Sequence, residues 1–110
     1  MPWIPLHSED QLLAILAKSS EKVQVIFKHS TRCSVSSMVL SRLEKAGLSE
    51  GLDFYLLDLI AYRQVSNLIA DQFGVWHESP QILIIKNGSC IFDESHMGIQ
   101  MREIMEQAAA

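Results

Sequence analysis

The residue in this sequence best placed to do chemistry is a cysteine between a predicted strand and a predicted helix. Residues 23–27 are almost all apolar, and apolar residues return at helical spacing after residue 34. Cys33 is therefore predicted at the start of a helix, where unpaired backbone N–H groups and the helix dipole favour a negative charge. A thiolate held there attacks disulfides or binds metals.

The side chains around Cys33 are also suited to supporting a thiolate. Arg32 precedes the cysteine and keeps its charge at any physiological pH. Ser36, one helical turn further on, has a hydroxyl that is expected to donate a hydrogen bond to the sulfur. The polar neighbours Thr31 and Ser34 complete the predicted supporting set. The alternative is that Cys33 is an inert residue in a helix cap.

The spacing of this motif is Cys-x-x-Ser, so a second cysteine to resolve a mixed disulfide is missing from the helix. An external thiol would take that role, which predicts monothiol chemistry. Cys90 follows an Asn87-Gly88 hairpin turn and is expected to pair with Ile85. The hairpin tip lies about five residues from Pro80, roughly 17 Å at the rise of a strand. If Pro80 lies near Cys33, Cys90 is too distant to form a disulfide with it and is predicted to be a core residue.

Composition limits the classes of protein to which the chain belongs. Its 110 residues predict one domain, 1–110, with 48% hydrophobic residues and a net charge of −4. Lysines and arginines do not cluster, so neither a nucleic-acid surface nor a membrane-binding patch is expected. Apolar runs are too short to span a bilayer, and the first residues lack the features of a secretory signal. These observations predict a cytoplasmic protein whose cysteines stay reduced.

The apolar periodicity predicts the order α-βαβα-ββ-α. Predicted helices cover about 8–18, 34–46, 62–73 and 99–108, and predicted strands cover 23–27, 54–57, 81–86 and 90–92. The first βαβ unit requires a right-handed parallel crossover, and the hairpin adds an antiparallel pair to the same sheet. The predicted fold is therefore a thioredoxin-like α/β domain, with a four-stranded mixed sheet flanked by helices.

Ser79 and Pro80 open the third strand of the βαββ core. Taken alone, an X–Pro bond at a strand start is expected to be trans. In thioredoxin-like folds, however, the proline at this position is cis and faces the catalytic cysteine. That resemblance makes Ser79 and Pro80 candidate substrate contacts, together with His77 just before them. His29, His77 and His96 do not have metal-ligand spacing with each other or with either cysteine, so a metal is not expected.

Beyond the fold, the sequence resembles the YtxJ-like monothiol bacilliredoxin family of the bacillithiol system. The resemblance covers nearly the whole chain and rests on residues 27–36 (FKHSTRCSVS), 57–63 (LDLIAYR), 65–67 (VSN) and 77–81 (HESPQ). Related sequences often have proline and isoleucine where this chain has Ser34 and Val35. The resemblance implies a cytoplasmic bacterial protein in which Cys33 takes bacillithiol from bacillithiolated proteins. Bacillithiol, or a related low-molecular-weight thiol, would be its co-substrate.

Two other functions compete with this hypothesis. Monothiol glutaredoxins with a Cys-x-x-Ser motif hold an iron–sulfur cluster between two subunits, but they have Gly-Phe where this chain has Ser34 and Val35. The second alternative is a redox-inactive thioredoxin-like scaffold or stress protein, in which Cys33 is incidental.

Overall fold

Helices and strands alternate along the chain in the computed structural model, which describes residues 3–110. In chain order the elements are β1 (Ile4–Pro5), α1 (Glu9–Lys18), β2 (Gln24–His29), α2 (Ser34–Ala46), β3 (Asp53–Asp58), α3 (Arg63–Phe73), β4 (Gln81–Lys86), β5 (Ser89–Ser95) and α4 (Met101–Ala109). A 3-10 turn, His96–Gly98, precedes α4. This order agrees with the predicted one, except that it begins with the additional strand β1 and that the last helix begins two residues later than its apolar pattern.

The strands form one mixed sheet in the order β1-β3-β2-β4-β5. β1 and β2 both pair with β3 in parallel, whereas β2–β4 and β4–β5 are antiparallel. The prediction of four strands was wrong by one, because it omitted β1. That strand has two residues, one of them proline, so it is too short to show a periodicity and is acceptable only at an edge.

Helices cover both faces of the sheet, and each face has its own apolar core. The core under α1 and α3 contains Leu12, Ile15, Ile26, Leu57, Val65, Ile69, Leu83 and Ile85. The core under α2 and α4 contains Val25, Phe27, Val39, Leu43, Phe54, Ile82, Ile84 and Ile104. Alternate residues of β2 and β4 therefore point into opposite cores, which explains why both strands are apolar throughout.

The residues at helix ends and at the hairpin turn have the geometry that their types favour. The Ser8 hydroxyl accepts the Gln11 N–H at 3.3 Å and so caps α1. Gly74 ends α3 in the left-handed conformation, with φ of 65°. Asn87 and Gly88 have φ of 52° and 77°, which a two-residue hairpin of type I′ requires.

The β4–β5 hairpin contains one irregularity. Cys90 pairs with Ile85, as the turn predicted, whereas the next pair is Phe92 with Ile84. Ile91 is therefore an extra residue that bulges from β5.

Among the helices of residues 3–110, none is long and apolar enough to cross a membrane.

Asp53, at the start of β3, joins three neighbours. It accepts a hydrogen bond from Gln24 at 2.8 Å and forms ion pairs with Lys18 and Lys22, each at 3.0 Å. Burial acts to raise the pKa of Asp53, but these three donors outweigh it and lower the pKa to about 2. The charged carboxylate therefore stabilises the fold above the ordinary pKa of an aspartate, and this contribution disappears as the pH falls toward 2.

We expect Asp53→Asn to lower the free energy of unfolding at pH 7 by about 1 kcal/mol, because both lysines are partly exposed. The variant should also lose less stability than the native chain between pH 4 and pH 2. Urea unfolding across this range measures both effects, with the exposed Asp93→Asn as the control. Equal pH dependence in the native and Asp53→Asn chains would contradict this role of the carboxylate.

Candidate active site

Cys33 is the N-cap residue of α2, as the sequence predicted. Its backbone is extended, with φ of −110° and ψ of 118°, and its carbonyl accepts the Ser37 N–H at 3.1 Å. The side chain is partly exposed, and none of the hydrogen bonds within residues 3–110 involves its sulfur. The first turn of α2 is Ser34, Val35 and Ser36, all uncharged. The sulfur thus lies at the positive end of the helix dipole without a competing carboxylate in that turn.

Three hydrogen bonds shape the loop between β2 and Cys33. The Cys33 N–H donates to the Ser30 carbonyl at 3.2 Å, and the Arg32 N–H donates to Ser30 Oγ at 3.4 Å. The Ser30 N–H in turn donates to Ser36 Oγ at 3.0 Å. Ser30 is buried and had no predicted role, because its hydrogen bonds depend on the conformation of the loop, which composition does not reveal.

The Ser36 hydroxyl is engaged by residues other than the cysteine. Ser36 is fully buried, and its Oγ lies 2.6 Å from His29 Nδ1 as well as accepting the Ser30 N–H. The expected hydrogen bond from Ser36 to the Cys33 sulfur is not among those formed by residues 3–110. Burial lowers the pKa of His29, so its imidazole is neutral at pH 7. Whichever of the two groups carries the shared proton, the pair ties the end of β2 to the first turn of α2.

We expect Ser36→Ala to destabilise the chain by about 1–3 kcal/mol, because it leaves the buried Ser30 N–H and His29 Nδ1 without this partner. The loop that carries Cys33 should then lose its fixed conformation, and alkylation of Cys33 should change in rate. Urea unfolding and iodoacetamide kinetics measure the two effects. Ser37→Ala, at an exposed position on the same helix, is the matched control. Equal stability of the two variants would show that the buried hydroxyl does not hold the loop.

The remaining predicted neighbours of Cys33 lie on the surface. Arg32, Thr31 and Ser34 are all exposed, so the guanidinium is free to meet a ligand that approaches the sulfur. Their supporting roles remain predictions.

The predicted substrate contacts lie beside the end of β2. Gln81 pairs with Lys28 in the sheet, so the preceding Ser79 and Pro80 are adjacent to the segment that leads to Cys33. The Ser79–Pro80 peptide bond is cis. Pro80 is buried, and its carbonyl accepts the His96 N–H at 2.9 Å. The topology therefore brings the cis-proline loop, residues 77–80, and the cysteine to the same end of the sheet.

Cys90 lies at the opposite end of the sheet. It pairs with Ile85, which pairs with Gln24 at the start of β2, whereas Cys33 follows the end of that strand. The length of β2 alone separates the two ends by roughly 17 Å, well beyond the ~7 Å limit between the Cα atoms of a disulfide. Both cysteines are free thiols. Burial raises the pKa of Cys90, which keeps it protonated at pH 7.

Clusters of three or more potential metal ligands were not found within residues 3–110. The site combines Cys33, the N-terminal end of α2 and the adjacent cis-proline loop.

Comparison with solved structures agrees with this architecture. A chain described as "a putative oxidoreductase with a thioredoxin fold" is 28% identical, with a TM-score of 0.82 over 94% of this chain and 91% of that one. Thioredoxin Mala s 13 of Malassezia sympodialis is 20% identical, with a TM-score of 0.79 over 99% and 92%. A Schistosoma mansoni thioredoxin is 15% identical, with a TM-score of 0.76 over 99% and 97%.

The fold and the cysteine together define a thiol redox protein of the thioredoxin-like class. The family model of the monothiol bacilliredoxin BrxC matches residues 4–104. The chain therefore belongs to the monothiol bacilliredoxin family. Membership supports a thiol redox role over the redox-inactive scaffold that the sequence also allowed.

Proposed function

We propose that this protein is a monothiol oxidoreductase that removes bacillithiol, or a related low-molecular-weight thiol, from protein mixed disulfides in the bacterial cytoplasm. The observation that carries the proposal is the isolation of Cys33. Cys33 is the N-cap residue of α2 and its sulfur makes no hydrogen bond within residues 3–110, a buried serine occupies the position of a resolving cysteine, and Cys90 lies at the far end of the sheet.

The proposed reaction has two exchanges. The Cys33 thiolate attacks the sulfur of the small thiol in the mixed disulfide, forming a new disulfide and breaking the old one. The substrate protein's sulfur leaves as a thiolate and takes a proton from solvent. A second molecule of the small thiol, as its thiolate, then attacks the adduct on Cys33. This step releases the symmetrical small-molecule disulfide and regenerates the Cys33 thiolate.

The helix end favours the first step because Cys33 must be ionised to attack. The dipole of α2 and the exposed Arg32 both stabilise negative charge near the sulfur. A monothiol site also leaves the adduct in place until an external thiol arrives, because an internal thiol is not within reach.

Transfer of the adduct, followed by intact-mass spectrometry, tests the proposal. The reduced protein is mixed with one substrate protein prepared in bacillithiolated and glutathionylated forms. We expect the bacillithiol mass to move from the substrate to Cys33, and to leave as the symmetrical disulfide when bacillithiol is added. Equal rates with glutathione would contradict bacillithiol specificity, and an adduct that stays on the substrate in both cases would contradict the oxidoreductase function.

A further inference from the structure

A lysine is fully buried near the end of the central strand β2, close to the cis-proline loop. Lys28 lies in β2 with its side chain at 0% exposure, and none of the ion pairs formed by residues 3–110 includes it. Its Nζ instead lies 3.2 Å from the Ser66 carbonyl and 3.4 Å from His77 Nδ1. An apolar side chain of similar length would avoid the cost of removing an ammonium group from water. The lysine is therefore not explained by packing.

The contact between Lys28 and His77 limits which nitrogen of the imidazole can carry the proton. Burial lowers the pKa of Lys28 to about 8, so at pH 7 it is mostly an ammonium group, which only donates hydrogen bonds. His77 Nδ1 must then accept, and the Ser66 hydroxyl at 3.3 Å can donate to the same atom. The proton of the neutral imidazole is thus confined to Nε2.

The surroundings also keep His77 neutral. Burial lowers the pKa of His77, and the cations Lys28 and Arg63 lower it further, against a smaller opposite effect of Glu78. The imidazole therefore presents an uncharged N–H donor at neutral pH. None of the hydrogen bonds within residues 3–110 involves His77 Nε2, and this atom is not among the buried polar atoms that lack a partner, so it is accessible to solvent.

His77 also lines a groove of about 320 Å³, together with Ala70, Asp71, Gly74, Val75 and Trp76. The Trp76 side chain is 90% exposed, while its carbonyl is held by the buried Gln81 at 2.9 Å. The groove thus has a fixed backbone, an aromatic surface and a neutral donor beside the cis-proline loop. The Asp71 carboxylate in the same groove disfavours an anionic ligand.

We propose that Lys28 is a positioning residue, which fixes His77 as an Nε2–H donor to a backbone carbonyl in the protein half of the mixed disulfide. This inference rests on the proposed function, and it assigns the groove to the peptide rather than to the small thiol. A neutral donor suits a neutral carbonyl, and the exposed indole offers an apolar contact to a neighbouring side chain of that peptide.

The tautomer is tested directly by ¹⁵N NMR of the imidazole, without any assay of activity. We expect Nε2–H in the native chain, and a mixture of both tautomers with a raised His77 pKa in Lys28→Met. A native chain with the proton on Nδ1 would overturn the proposal. Urea unfolding of Lys28→Met establishes that the variant is folded. His77→Phe, at a half-buried position, provides a second variant that leaves the lysine in place.

The role in recognition is tested by kinetics with two substrates of the same small thiol, one a mixed disulfide with a protein and one with free cysteine. Loss of one hydrogen bond predicts that Lys28→Met and His77→Phe raise KM for the protein substrate about two- to tenfold, with little change in kcat. KM for the small substrate should not change. His77→Gln, whose amide N–H replaces Nε2–H, should restore KM even together with Lys28→Met.

His7→Gln, at an exposed histidine elsewhere on the surface, is the control and should match the native chain. Equal rises in KM for both substrates would overturn the assignment of the groove to the peptide. Absence of transfer by the native chain would instead refute the proposed function, and the tautomer measurement would still stand.

Discussion

Cys33→Ser is expected to reduce thiol transfer to the uncatalysed rate, a loss on the order of a thousandfold or more, because a serine hydroxyl does not attack disulfides. The variant separates the effect of the thiol on catalysis from any effect on the stability of the fold. Serine is among the best N-cap residues, and position 33 is the N-cap of α2, so the free energy of unfolding should stay the same or rise. Adduct transfer by mass spectrometry and urea unfolding measure the two quantities on one preparation.

Cys90→Ser is the matched control for this experiment. Cys90 is half-buried, and its thiol donates to the Phe92 carbonyl at 3.3 Å, a contact that a serine hydroxyl is able to keep. Its transfer rate should equal that of the native chain. A large loss in Cys90→Ser, or substantial activity in Cys33→Ser, would show that Cys33 does not act alone.

Phe27→Ala is expected to lower the free energy of unfolding by about 3–5 kcal/mol, the usual cost of emptying an aromatic site in a core. Phe27 is fully buried in β2, and its ring centroid lies 5.6 Å from that of Trp3 and 6.0 Å from that of His29. Since domains of this size have total stabilities of about 5–15 kcal/mol, the change is a large fraction of the whole.

Urea unfolding measures this loss, and Phe27→Leu is the comparison because it retains more of the volume and should cost less. The alanine variant should also slow thiol transfer, because His29 loses the ring against which it stacks and His29 holds the Cys33 loop through Ser36. A loss of stability below 1 kcal/mol would mean that the neighbouring side chains fill the cavity.

Local chemistry in the sequence was sufficient to predict much of this structure. The position of Cys33 follows from a buried strand that meets an amphipathic helix, and the pairing of Cys90 with Ile85 follows from the Asn87-Gly88 turn. In each case the information lies within a few consecutive residues. The short strand β1 lacked such information, since its pairing with β3 depends on a distant partner.

The contacts that shape the site were less predictable, because they join residues from separate elements. Ser36 was expected to donate a hydrogen bond to the Cys33 sulfur. Its hydroxyl is instead hydrogen-bonded to His29, which lies on the preceding strand. Lys28 received no role at all, since a lysine at the end of an apolar strand is ordinarily exposed. Its burial depends on α3 and the cis-proline loop covering it, through Ser66 and His77. Such burial is a property of tertiary packing, not of local pattern.

The two outer strands have a consequence for how the protein behaves at high concentration. Along one edge of the sheet, β1 offers only two residues, and Pro5 lacks an N–H to donate. Along the other edge, β5 is interrupted by the bulge at Ile91 and carries the acidic side chains of Asp93 and Glu94. Irregular, charged or proline-containing edges resist the addition of a foreign strand and the aggregation that it starts. Neither edge of this sheet is therefore expected to pair readily with a second copy of the chain.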